Sequence, residues 1–186
     1  MSFNKIEFDK ITDRERGYIL GLFIGDGYAY YDKKQKHYTV EFYLHSERNK
    51  DVQKYLISIM NKLNLSCSIR KDKRFKCNRI RTRSKLLMEY LKTDKKGNSS
   101  FEIGYLSGII DSEGYVNHKK RVINIVNTDK YILDRCSKCL SKLNIDTILK
   151  RRKKSKKDVK KSYILYIPYK LKHISTNSVK VNSGGA

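Results

Sequence analysis

The chain repeats itself, and that repeat restricts the possible folds more than any other feature of the sequence. An offset of 87 residues aligns Thr12, Glu15, Gly17, Tyr18 and Gly21 with Ser99, Glu102, Gly104, Tyr105 and Gly108. The same offset carries Asp26-Gly27-Tyr28 onto Glu113-Gly114-Tyr115. Further along, an offset of 80 matches Lys62-Leu63-Asn64-Leu65 with Lys142-Leu143-Asn144-Ile145. The first copy therefore holds about seven extra residues, and the Lys33 to His37 turn is the cheapest place for them because loop length costs little. The length, 186 residues, suits one compact domain or two small ones sharing a core.

Both copies read as the same run of elements. Thr12 with Glu15, and Ser99 with Glu102, form capping boxes at helix starts. Helices rich in apolar and small residues are expected from Asp13 to Gly25 and from Ser100 to Ser112, each ending at a glycine. Strands follow at Tyr28 to Tyr31 and at His37 to His45, where Tyr38, Val40, Phe42 and Leu44 alternate with polar neighbours. The second copy offers Tyr115 to His118 and Arg121 to Val126. An amphipathic helix from Asn49 to Leu63 gathers Val52, Leu56, Ile59, Met60 and Leu63 on one stripe. Its copy puts Ile132, Cys136, Cys139, Leu140 and Leu143 there. Two more strands close each sheet, Ser66 to Lys71 and Phe75 to Thr82, then Thr147 to Lys153 and Ser162 to Tyr169. Short final helices are expected at Lys85 to Lys92 and after Tyr169. The prediction is an α+β fold of two tandem αββαββα half-domains, residues 1–92 and 100–181. Residues 93–99 have linker composition, and 182–186 form a disordered tail.

Charge narrows the partners. Lys and Arg number 42 against 19 Asp and Glu, a net +23, which calls for a polyanion. Hydrophobic residues make up 39%, enough for a packed core rather than a disordered chain. Met1 to Arg16 is polar, so no signal peptide or membrane span is expected, and no long basic amphipathic helix points to a membrane surface. The protein is expected to remain where it is made. One Pro, no Trp and abundant Lys, Asn, Ile and Tyr fit an A+T-rich gene, hence an organelle (mitochondrion or chloroplast) or a prokaryotic cytoplasm. Cys136 and Cys139 fall where the other copy has Leu56 and Ile59, and Cys67 and Cys77 lack the spacing of a zinc knuckle. Cys136 and Cys139 read as small core residues, and the four together do not read as a metal site.

The chemistry concentrates at the ends of the two repeat-opening helices. Gly21 and Gly108 remove side chains from the middle of apolar helices, which lets two backbones approach and form an interface between the halves. Asp26 and Glu113 stand at helix C-termini, where the macrodipole disfavours negative charge by roughly 0.3–1 kcal/mol. Two equivalent carboxylates brought together on a two-fold axis also repel each other, and a divalent cation relieves both penalties.

Ile19-Leu20-Gly21-Leu22-Phe23-Ile24-Gly25-Asp26-Gly27 and Leu106-Ser107-Gly108-Ile109-Ile110-Asp111-Ser112-Glu113-Gly114 each resemble the motif of the LAGLIDADG homing endonuclease family, in its monomeric two-motif form. The resemblance runs from about Thr12 to Tyr169 and includes the element order. It implies pseudo-two-fold half-domains packed through the motif helices, each with a four-stranded antiparallel DNA-binding sheet. It also implies Mg²⁺ held by the carboxylates of Asp26 and Glu113 and the carbonyls of Gly25 and Ser112, one acid serving each DNA strand. The implied product is a staggered double-strand break at a long, asymmetric site, in the homing of an intron or intein. Ile24 departs from the motif where Asp111 keeps an acid, but that position is not a metal ligand in the family. Lys120 and Asn127 are the candidates for auxiliary catalytic groups, with His45 behind them in the first copy.

On such sheets, Thr39, Glu41 and Tyr43 are expected to face DNA, with Ser68 and Arg70 beside them. Arg79, Arg81 and Arg83 lie on a strand whose register the sequence leaves open, and Lys119, Arg121, Lys150 and Arg152 are the matching positions of the second copy. Arg can read guanine, whereas many Lys hold phosphates only. The expected partner is double-stranded DNA, bound by a monomer with no membrane involved. The alternatives on the same scaffold are an intron RNA-splicing maturase, with intron RNA as partner, and a regulator that binds DNA without cutting it.

Overall fold

The computed structural model describes residues 7–72, 75–117, 119–153 and 161–168. Thr12 starts the first helix as its sequence predicts. Its hydroxyl accepts the Glu15 N–H at 3.2 Å, and the Glu15 carboxylate accepts the Thr12 N–H at 2.9 Å. This capping box opens α1 (Asp13–Asp26). In the second copy the cap moves back one residue. Asn98 accepts the Phe101 N–H at 3.0 Å, and Ser99 is the first residue of α4 (Ser99–Glu113), so the predicted Ser99 box does not form. Asn98 is fixed there by donating to Asp13 at 2.7 Å, and the Glu102 carboxylate is taken by Arg135 at 2.9 and 3.1 Å.

Between these helices the elements are β1 (Gly27–Asp32), β2 (His37–His45), α2 (Lys50–Lys62), β3 (Ser68–Asp72), β4 (Cys77–Arg83) and α3 (Lys85–Leu91). After α4 come β5 (Gly114–Asn117), β6 (Val122–Asn127), α5 (Lys130–Lys142), β7 (Ile148–Arg151) and β8 (Tyr163–Pro168). The closing helix expected after Tyr169 and the tail 182–186 lie outside the described residues. The strands form two antiparallel sheets of the same order, β1-β2-β4-β3 and β5-β6-β8-β7. Gly27 pairs with Phe42 as Gly114 pairs with Ile125, and Tyr30 with Thr39 as Asn117 with Val122.

That register corrects the placement of the seven extra residues. The loops 33–36 and 118–121 are equal in length, but the first hairpin runs on through the pairs Tyr31–Tyr38 and Asp32–His37. Those pairs account for four residues, and the other three fall in the β2–α2 connection at Ser46 to Arg48. A hairpin can add whole pairs without changing its turn, so growth there keeps every backbone group bonded.

The seam between halves is α1 against α4, lying parallel and in backbone contact. A Cβ at Gly17 would collide with the carbonyl oxygen of Phe101, and one at Gly21 with that of Tyr105. Reciprocally, Gly104 opens onto the carbonyl of Arg14 and Gly108 onto that of Tyr18. The contacts obey the two-fold relation residue for residue. Around the seam, Tyr18, Leu20, Leu22, Tyr105, Leu106, Ile109 and Ile110 are buried. They join one core with the inner sheet faces (Val40, Phe42, Leu44 and Ile80; Ile123, Ile125, Leu165 and Ile167) and with Leu56, Ile59, Met60, Leu133 and Leu140.

Cys136 and Cys139 are buried free thiols in that core, and burial pushes Cys139 up to about 11. Among the described residues no group of three or more His, Cys, Asp or Glu is placed to hold a metal, nor is any helix long and apolar enough to cross a membrane. The segment 93–99 is docked rather than loose. Arg135, itself buried, bonds Asp94 at 3.2 Å and the Lys95 carbonyl at 2.7 Å, and the Tyr131 hydroxyl donates to Asp94 at 2.6 Å.

Candidate acid pair and nucleic-acid interface

Asp26 is the last residue of α1 and Glu113 the last of α4. The helix ends touch: a Cβ at Gly25 would strike the Ser112 side chain and lie 3.0 Å from Glu113 Cγ. Neither helix has a basic residue in its last turn to offset its terminal acid. The pair is half-buried at the point from which β1 and β5 leave. Two carboxylates beside two helix carbonyl ends form an all-oxygen donor set, which fits a hard divalent cation such as Mg²⁺ and not a thiolate-seeking one.

The neighbours of the pair are sorted by the fold. Asn127 ends β6 with its amide 3.5 Å from Glu113 Oε1, at the outer limit of a hydrogen bond, while its own Oδ1 accepts the Asp129 N–H at 2.8 Å. Lys120 stands in the exposed β5–β6 turn, at the end of β5 remote from Glu113. Four residues of strand, about 13 Å, intervene. His45 ends β2, and its Nδ1 accepts the N–H groups of Glu47 and Arg48, each at 3.2 Å. Asp111 is fully buried and accepts the Tyr18 hydroxyl at 2.8 Å across the seam. Burial first, and the Asp111 charge second, push the Tyr18 pKa well up, so the phenol stays a donor.

The sheet register settles which side chains share the outer face. Residues paired across antiparallel strands lie on the same side. Val40, Phe42 and Leu44 point into the core, so the opposite face of the first sheet carries Tyr28, Glu41, Arg81 and Ser68 in one row. Tyr43, Arg79 and Arg70 make the next row, and Tyr30, Thr39 and Arg83 a third. Tyr43, Ser68, Arg70 and Arg83 are exposed, whereas Thr39 and Glu41 are buried on that face. The reason is a canopy of longer side chains. Arg81 reaches Glu41 at 2.6 Å, Arg79 lies 3.8 Å from it, and the Tyr43 hydroxyl donates to it at 2.5 Å. Glu41 in turn raises the pKa of Arg81 by its hydrogen bond.

In the second sheet, Lys150 shares the outer face with Ile164 and Val126. Arg152 follows just past the strand, where its N–H bonds Ser162 O at 2.9 Å. Lys119 and Arg121 are exposed in the β5–β6 turn. Arg121, Lys36 and Lys76 each precede a strand at a hairpin end with φ of 50°, a left-handed conformation that favours glycine. The sequence reading missed the rest of this outer face: Tyr115, Asn124, Tyr166 and Ile148 in one row, and Val122 opposite Asn117. The signal is faint because β6 is apolar on both sides, so its alternation does not separate core from surface.

A model of the LAGLIDADG-like domain family matches residues 100–179, and a model of the WhiA LAGLIDADG-like domain matches residues 15–93. An uncharacterized protein of Methanocaldococcus jannaschii is 30% identical over 164 residues, which is 82% of this chain and 57% of that protein. The chain thus spans little more than half of that relative's length. Among solved structures, a point variant of I-DmoI in complex with its target DNA and Mn has a TM-score of 0.68 at 22% identity, covering 87% of this chain and 90% of its own. Other I-DmoI complexes similar to the chain contain DNA with Ca or with Mg. The N-terminal LAGLIDADG domain of WhiA has a TM-score of 0.61 at 18% identity, covering 94% of this chain and 83% of its own. At these identities the structural likenesses establish the fold.

Proposed function

The chain belongs to the LAGLIDADG family, and from that premise we propose that it is a site-specific DNA endonuclease making a metal-dependent, staggered double-strand break at a long asymmetric site, in the homing of an intron or intein. The observation that carries this reading is the meeting of the α1 and α4 ends, each terminating in an acid, between two antiparallel sheets. Asp26 and Glu113, with the carbonyls of Gly25 and Ser112, are the groups that would hold Mg²⁺. That ion, when bound, supplies an activated water and neutralises charge developing on the phosphate.

The remaining work belongs to the chain. The glycine seam holds the two acids at a fixed separation, so that each faces one strand. Asn127 orients Glu113 from the end of β6, whereas Lys120, separated from Glu113 by the length of β5, serves as a phosphate contact rather than at the cut. Tyr43, Ser68, Arg70, Arg79, Arg81 and Arg83 on the first sheet, with Lys119, Arg121, Lys150 and Arg152 on the second half, are the proposed DNA contacts, while Glu41 beneath them orients Arg79 and Arg81 and Thr39 stays buried under the same face. One chain carrying both half-domains, 1–92 and 100–181, contributes both acids and so acts as a monomer.

A second reading has its own observation: the match of residues 15–93 to the WhiA LAGLIDADG-like domain favours DNA binding without cleavage on the same scaffold. The intron-RNA alternative draws no support from the relatives above. The deciding experiment incubates purified protein with a randomised or genomic DNA library in Mg²⁺ or in EDTA, beside Asp26→Asn and Glu113→Gln. Discrete breaks at one long site, lost in EDTA and impaired in both variants, are expected. Tight, salt-sensitive binding with no metal-dependent cut would overturn the endonuclease reading in favour of a DNA-binding one.

A further inference from the structure

The two outer sheet faces differ in chemistry although the sheets are built alike. The first carries four guanidinium groups, Arg70, Arg79, Arg81 and Arg83, interleaved with tyrosines and the single buried Glu41. Across the middle of the second face the corresponding row is Tyr115, Asn124, Tyr166 and Ile148, and the next is Val126 with Ile164. No charge stands in those two rows except Lys150 at the β7 edge. This uncharged centre is not tucked away, since Tyr115 is 63% and Ile148 55% exposed.

Charge complementarity says what covers it. Lys119, Lys120 and Arg121 border the patch at the hairpin end, and Lys150 and Arg152 border it along the β7 edge. An apolar centre inside a cationic border matches a DNA groove, with phosphates at the rim and base edges over the centre. In the major groove the apolar group is the thymine methyl, whereas guanine and cytosine present only polar edges there. Asn is the side chain that suits adenine, accepting from N6 and donating to N7. Asn124 lies in the middle row, but its amide oxygen is buried there without a hydrogen-bond partner among the described residues, so that oxygen is not presented to an adenine edge. Arginines suit guanine O6 and N7 instead.

Resting on the DNA reading proposed above, we infer that the two halves of the target differ in composition. The half under the first sheet presents guanines to the arginines, and the half under the second sheet is A·T-rich, read through thymine methyls. Divergence of the two copies has thus produced two kinds of reader, not two versions of one.

The test selects bound and cleaved sites from a randomised duplex library, with wild-type protein and with Arg70→Ala and Arg79→Ala. Loss of guanine preference at positions confined to one half identifies the half under the first sheet. Deoxyuridine, which lacks only the methyl group, is then placed for thymine in each half of the selected site in turn. Affinity is expected to fall about fourfold per contacted methyl in the other half and to stay unchanged in the first. A selected site with guanine-rich halves on both sides, or one indifferent to deoxyuridine in the second half, overturns this inference and leaves the endonuclease reading standing. If no site is selected at all, both fall together.

Discussion

Replacing Gly21 by alanine tests the seam and the site at once. The added Cβ would strike the Tyr105 carbonyl oxygen and stand 3.0 Å from Ile109 N, against an ordinary contact of about 3.5 Å. Both obstacles are backbone atoms of α4, so no side chain can swing aside, and the helices must part by roughly 1 Å. Overpacking of this kind costs about 1–3 kcal/mol. Alanine regains about 1 kcal/mol through its better helix propensity. The net loss is then about 0–2 kcal/mol, a fall in Tm of less than about 8 °C for a chain of this size.

The effect on catalysis is expected to be far larger, because parting the helices parts Asp26 from Glu113. A displacement of about 1 Å at reacting groups can cost about a hundredfold in rate. The assay is single-turnover cleavage in Mg²⁺ at a temperature where the variant is folded, with DNA affinity measured in parallel. Asn98→Ala is the control. It removes the α4 cap and its bond to Asp13, at a cost of about 1 kcal/mol, without adding an atom between the helix backbones, so its cleavage rate is expected to follow its folded fraction. Cleavage by Gly21→Ala as fast as by the control at equal folded fraction would refute this coupling of the seam to the acid pair.

Two more outcomes follow from single groups. Glu15 is buried, which pushes its pKa up, but hydrogen bonds from Lys62 at 2.6 Å and from Thr12 outweigh burial and hold it below 4.5. A lowered folded-state pKa means stability that is complete above the ordinary glutamate value and lost as pH falls through the lowered one. Glu15→Gln is therefore expected to make the acid-side decline of the denaturation midpoint shallower, and an equally steep decline would show that the pair adds nothing. Lys36 holds φ at 50° in the first hairpin turn, so Lys36→Gly is expected to stabilise the fold by up to about 1 kcal/mol. It should at the same time weaken DNA binding and reduce the salt slope by about one, and stability gained with unchanged affinity would show that Lys36 meets no phosphate.

Elements and seam were legible in the sequence because both are local or periodic. The duplicated glycines mark the seam, alternation marks β2, and the Thr12 box marks the start of α1. What stayed hidden depends on distant partners. Glu41 looks like a surface residue until β4 brings Arg79 and Arg81 over it, about forty positions later in the chain. The β4 register could not be read, because Cys77 to Arg83 alternates polar residues with other polar ones and only Ile80 marks the inner face. The motif acids could be named from residue type and spacing, whereas Lys120 could not be located relative to them without the length of β5. Asn98 and Ser99 are both good caps, and only the contact of Asn98 with Asp13 decides between them.

The two copies keep what each imposes on the other and differ where no such reciprocity exists. Gly17, Gly21, Gly104 and Gly108 each face a carbonyl of the opposite helix, so a side chain added in one copy displaces the backbone of the other. Away from the seam, equivalent positions hold different solutions. Tyr18 sets its ring edge-on to Tyr55 and its hydroxyl on Asp111, whereas Tyr105 lies under the Arg135 guanidinium at 3.7 Å. Arg135 occupies the place of Tyr55 in the second copy, and there it also holds Asp94, Lys95 and Glu102. A tandem chain has one connecting segment to secure, so a task falls to one copy that the other never meets. A homodimer could not divide labour in this way, since each substitution would appear twice. Fusion frees each sheet face to change alone, and an arginine-rich face beside one with an uncharged centre is the outcome that freedom permits.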